Sequence, residues 1–125
     1  MFRFLHAADI HLDSPLQMLE RYEGAPLELL RQATRQAFEN LVDLALDAGV
    51  DFVVLSGDLY DGDWRDYHTG LFLVSRLRRL RDAGIAVFMV SGNHDAASII
   101  TKSLRLPENV TLFPTDKPGS VDLKD

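Results

Sequence analysis

Two apolar runs constrain this chain more than anything else in it: Phe52-Val53-Val54-Leu55, carried by the segment from Asp51 to Ser56, and the stretch from Ile85 to Val90. Both are too short for helices and too continuous for strands with one wet face, so they read as parallel strands covered on both faces. Arg3 to Ala8 reads as a third buried strand. Val110 to Phe113, following the turn signal Pro107-Glu108-Asn109, is a weaker fourth. Between the strands the period changes. From Leu27 to Ala48, Leu30, Thr34, Ala37, Phe38, Leu41, Leu44, Ala45 and Ala48 recur at helical spacing. A second helix is predicted from about Tyr67 to Ala83, with Leu71, Val74, Leu77 and Leu80 inward and Asp66 as N-cap. Pro26 suits a first helical turn, and Gly49 and Gly84 suit the left-handed position after a last one. Strand, helix, strand, helix, strand implies right-handed crossovers and a parallel α/β sheet.

At 125 residues and 46% apolar, the chain suits one domain that buries about two-thirds of its unfolded surface. The absence of cysteine removes a disulfide framework, a thiolate zinc site and a cysteine nucleophile, and fits a reducing cytoplasm. The longest apolar run falls far short of the ~20 residues that span a bilayer. The opening Phe2-Arg3-Phe4-Leu5 reaches His6 and Asp9 without the apolar stretch expected of a signal peptide. A soluble, cytoplasmic domain without membrane contact is expected. A net charge of −6 argues against holding nucleic acid by net charge alone. Carboxylates gathered to bind divalent cations would be an exception, because each cation reverses the local sign.

Where the acids sit therefore matters. In an open parallel sheet, ligands bind beyond the carboxyl ends of the strands. The first strand ends Asp9-Ile10-His11, the second Ser56-Gly57-Asp58, the third Ser91-Gly92-Asn93-His94-Asp95. Glycines before Asp58 and Asn93 allow a sharp turn and close approach to a small ligand. Carboxylates, imidazole and an amide oxygen form a mixed oxygen and nitrogen set that suits manganese, iron or zinc better than calcium or a soft metal. Asp9 and His11 can turn towards one ion, Asp58 can bridge two ions ~3.5–4 Å apart, and Asn93 can hold the second. His94 is then left to donate a proton or hydrogen bond to phosphate or leaving group, and Asp95 to orient an imidazole.

These blocks, D-x-H, G-D and G-N-H-D at three successive strand ends, resemble the calcineurin-like metallophosphoesterases. Phe4 to Leu12 and Ser56-Gly57-Asp58-Leu59-Tyr60-Asp61 are similar to the SbcD-like DNA repair exonuclease branch. The resemblance implies the parallel β-α-β-α-β half of a four-layer α/β/β/α sandwich. It implies residues 1–113 as the N-terminal part of the metallophosphoesterase domain, with 114–125 a linker and the start of a truncated next element. It further implies metal ligands Asp9, His11, Asp58 and Asn93, a catalytic His94, two divalent ions (Mn2+ foremost, Fe or Zn as alternatives), DNA as substrate and an SMC-like ATPase subunit as partner. Two features depart from the family pattern. Asp61 stands where nuclease members of the branch commonly carry a histidine. The histidine and later G-H-x-H block with which the family completes its site do not occur in these 125 residues. The isolated chain is therefore expected to be catalytically incomplete, and its open edge to favour self-association.

Two alternatives stay open: a non-catalytic truncated module, and a phosphatase or cyclic-nucleotide phosphodiesterase of the same superfamily. Single residues also have plainer readings. His6 fits a packed core imidazole, and His68 a solvent-facing helix start. Trp64 fits a loop anchor, Asp63 and Asp66 a helix start, and Arg76, Arg78, Arg79 and Arg81 a solvated helix face.

Overall fold

The structure is a computed structural model that describes residues 1–13, 27–59, 67–92 and 104–124. Four strands, β1 (Phe4–Ala8), β2 (Phe52–Gly57), β3 (Ala86–Ser91) and β4 (Val110–Phe113), pair in parallel in chain order. Helix α1 (Leu27–Ala48) connects β1 to β2, and α2 (Tyr67–Asp82) connects β2 to β3. Both helices end as their glycines predict, with Gly49 at φ 61° and Gly84 at φ 74°. Asp66 and Pro26, expected from the sequence as an N-cap and a first-turn residue, lie outside the described residues.

Right-handed crossovers that step in one direction put successive helices on the same face of a sheet. The core follows that rule. Phe38, Val42 and Ala45 of α1 and Leu73, Leu77 and Leu80 of α2 are buried with Val53, Leu55, Val87 and Met89 of the strands. Among the described residues, helices cover only one of the two faces. Phe4 and Val90, on the face opposite the helices, are 56% and 44% exposed. That face carries an aromatic row in which Phe4 stacks on Phe52, Phe52 meets Phe88 edge-on, and Phe88 leans on Phe113. The β2 and β3 runs are apolar on both sides because both sides are built for packing, although α1 and α2 fill only one.

Two helical assignments also change. Leu44 and Leu71 are exposed, whereas Leu73 is fully buried. Each of the exposed leucines lies more than about 100° round the helix from the centre of its buried stripe. Leu77→Ala should therefore cost about 2–5 kcal/mol by chemical denaturation, against less than about 0.5 kcal/mol for Leu71→Ala. Equal losses would contradict the burial of Leu77 and the exposure of Leu71. The arginine run is not a uniform solvated face either. Arg76 pairs with Glu39, and Arg79 bridges Glu39 (2.5 Å) and Asp43 (3.0 Å), tying α2 to α1, while Arg78 is exposed.

Candidate metal centre

The register Ala8–Ser56 and Gly57–Ser91 brings the carboxyl ends of β1, β2 and β3 to one edge. Beyond β1 the chain keeps running beside β2. Asp9 N–H donates to the Ser56 carbonyl (3.0 Å), His11 N–H to the Asp58 carbonyl (3.1 Å) and Leu12 N–H to the Leu59 carbonyl (2.8 Å). Leu12, only 2% exposed, plugs this loop into the core. The loop is not an extended strand, because Asp9, His11 and Asp13 all sit in the left-handed region, at φ 55°, 49° and 55°. Aspartate and histidine tolerate that region better than most residues, yet each such position still costs of order 1–3 kcal/mol.

The result is convergence. One ligand-capable atom from each of Asp9, His11 and Asp58 lies within 4.8 Å of the others, with both aspartates exposed and His11 half-buried. Asp58 N–H donates to Asp9 Oδ1 (3.1 Å), which orients that carboxylate. Two glycines make the room. A Cβ at Gly57, whose φ is 77°, would overlap Asp9 Oδ1 and come within 3.0 Å of its Cγ, and one at Gly92 would stand 3.1 Å from Asp58 Oδ1. Two carboxylates held this close repel, and a divalent cation reverses the sign of that interaction. Two carboxylates with an imidazole are a donor set that divalent transition metals accept. Asn93, His94 and Asp95, the remaining sequence-derived candidates, lie outside the described residues, as do Asp61, Asp63 and Trp64.

The sequence match settles the family. The family model for calcineurin-like phosphoesterases matches residues 2–123. The chain belongs to the calcineurin-like phosphoesterases. Among its relatives, an uncharacterized metallophosphoesterase, YhaO, of Bacillus subtilis is 36% identical over 115 residues, covering 92% of this chain and 28% of the relative. The DNA double-strand break repair protein Mre11 of Haloferax volcanii is 38% identical over 96 residues, 77% of this chain and 20% of that protein. Mre11 of Archaeoglobus fulgidus is 31% identical over 111 residues, covering 89% and 23%. The chain thus spans less than a third of each relative's length. No helix among the described residues of this calcineurin-like phosphoesterase is long and apolar enough to cross a membrane.

His6 departs from its sequence reading. It is exposed, with Nε2 2.9 Å from Ser56 Oγ, because it shares the helix-free face with Phe4. His68 is exposed, as read. The sequence reading missed Asp13. Its carboxylate accepts from Arg35 Nε (2.8 Å) and Nη2 (2.5 Å) and from Thr69 Oγ1 (2.5 Å), and its N–H donates to Thr34 Oγ1 (3.0 Å). One signal was available. Thr34 and Thr69 each stand four residues before a core position, Phe38 and Leu73, and a hydroxyl on a core-facing stripe requires a partner.

Proposed function

We propose that the protein carrying this chain hydrolyses phosphodiester bonds of DNA at a two-ion centre, as an exonuclease or endonuclease of DNA repair. The observation that carries this reading is the convergence of Asp9, His11 and Asp58 at the carboxyl edge of the sheet. The Mre11 relatives, which are DNA double-strand break repair proteins, support DNA as substrate. Residues 1–113 would form the N-terminal part of the catalytic domain, and 114–125 would lead into the next element. An SMC-like ATPase subunit is the partner the resemblance implies, and the cysteine-free composition suits a cytoplasmic setting.

When bound, a pair of divalent ions supplies a nucleophile at neutral pH and neutralises the charge that develops on phosphoryl oxygens. Asp9 and His11 would hold one ion, Asp58 would share its two oxygens between both, and Asn93 would hold the other. Gly57 and Gly92 keep the space around these carboxylates clear of side-chain carbon. His94 would give a proton or a charge-assisted hydrogen bond to the leaving oxygen, with Asp95 orienting an imidazole. Manganese is the ion proposed.

The test has two arms. A crystal soaked in Mn2+ should carry an anomalous peak beside the Asp58 carboxylate. The intact protein with Mn2+ should degrade linear duplex DNA in preference to p-nitrophenyl phosphate or a cyclic nucleotide. A missing peak would overturn the centre. Hydrolysis of the small esters without DNA cleavage would instead move the protein to a phosphatase or cyclic-nucleotide branch.

A further inference from the structure

We propose that Asp13 is a positioning residue for the metal centre: clamped between the two helices, its carboxylate holds the left-handed His11–Asp13 turn that presents the His11 imidazole to Asp9 and Asp58. The inference rests on the metal-centre reading above and adds a residue outside its ligand set.

Three observations support it. Asp13 is the last of the alternate left-handed residues 9, 11 and 13, so the chain between it and Asp9 is short and conformationally unusual. A turn of this kind persists only where its surroundings over-determine it. The Asp13 side chain is only 11% exposed and is gripped from both sides, by Arg35 of α1 and by the fully buried Thr69 of α2. The same residue's N–H is taken up by Thr34 of α1. Arg35 is itself fixed, since its guanidinium lies 5.3 Å from the centre of the Phe72 ring, which also receives Arg76 at 4.5 Å. Arg76 in turn bonds Glu39. The clamp therefore reaches from the His11 loop into the rigid helix pair, and His11 is two residues from it. Groups that orient a metal-ligating histidine without touching the metal typically change metal affinity about 10–100-fold when removed.

The decisive variant is Asp13→Gly. Glycine adopts the left-handed conformation freely, so this change removes the clamp and spares the backbone angle. The readout is Mn2+ affinity by calorimetric titration of the intact protein, together with the spectrum of bound Mn2+ by electron paramagnetic resonance. We expect affinity to fall about 10–100-fold, with kcat recovering towards the wild-type value at saturating Mn2+. Thr69→Val should weaken binding in the same direction, and Thr69→Ser, which keeps the hydroxyl, should restore it. Asp43→Ala, which cuts an ion pair between the helices elsewhere, serves as control and should leave binding unchanged. Should Asp13→Gly lower thermal stability while the folded protein binds Mn2+ as tightly as wild type with an unaltered spectrum, Asp13 is only a structural anchor and the proposal fails, the metal-centre reading surviving. Wild-type protein that takes up no Mn2+ would defeat both.

Discussion

Asp58→Asn is expected to lower Mn2+-dependent hydrolysis by the intact protein at least about a thousandfold, on the order of 4 kcal/mol in the barrier. Asp58 leaves the end of β2 with its N–H committed to Asp9 and its carbonyl to His11, so its backbone is fixed and only the side chain is left to meet a cation. Asparagine keeps the shape and that backbone, but it replaces a charged pair of oxygens with one neutral oxygen and an NH2 group that cannot bind a cation. Fold stability should hardly change, because the side chain is exposed. Measuring turnover, metal content and unfolding on the same preparation checks all three. Retention of most activity would remove Asp58 from the chemistry, and loss of folding would mean that the effect is not one of metal binding.

Gly57→Ala should be nearly as damaging by a different route. The new methyl would both occupy a left-handed φ of 77° and overlap the Asp9 carboxylate. The backbone penalty alone is about 1–2 kcal/mol. The overlap must be relieved by moving Asp9 away from Asp58, so Mn2+ binding should drop below detection in titrations that saturate the wild type. Gly49→Ala is the matched comparison. Its φ of 61° carries a similar backbone cost, but a Cβ there meets nothing within 4 Å. Gly49→Ala should therefore lower the denaturation midpoint and leave Mn2+ affinity intact. If both variants bind metal alike, close approach at Gly57 has no part in shaping the site.

Much of this architecture could be read from residue order alone, for reasons that differ by element. Strands β2 and β3 were legible because the segments from Asp51 to Ser56 and from Ile85 to Val90 have no helical period, and their boundaries shift by a single residue in the structure. Both helix ends were legible because Gly49 and Gly84 are the residues a left-handed stop demands. Which leucines face the core was less legible. Leu44 and Leu71 lie among so many apolar neighbours that periodicity admits them to the stripe, and only the angle of each helix on the sheet excludes them. The grouping of Asp9, His11 and Asp58 was expected from strand ends meeting on one edge. The left-handed alternation that aims two of them was not, since no composition signal marks backbone conformation at aspartate or histidine. Asp13 was passed over for a related reason. Its partners Arg35 and Thr69 are 22 and 56 residues away in sequence, and only the packing of both helices over one face makes them neighbours.

Parallel pairing between β1 and β2 has a last consequence. A strand that slides by one position keeps its ability to bond its neighbours but turns each side chain to the opposite face and carries its end about 3.3 Å along. For β2 such an error would withdraw Asp58 from Asp9 even where hydrophobic collapse still succeeded. An ion held by Asp9 and Asp58 would therefore stabilise only molecules aligned as Ala8 to Ser56, and the metal-loaded fraction would count those that folded in frame.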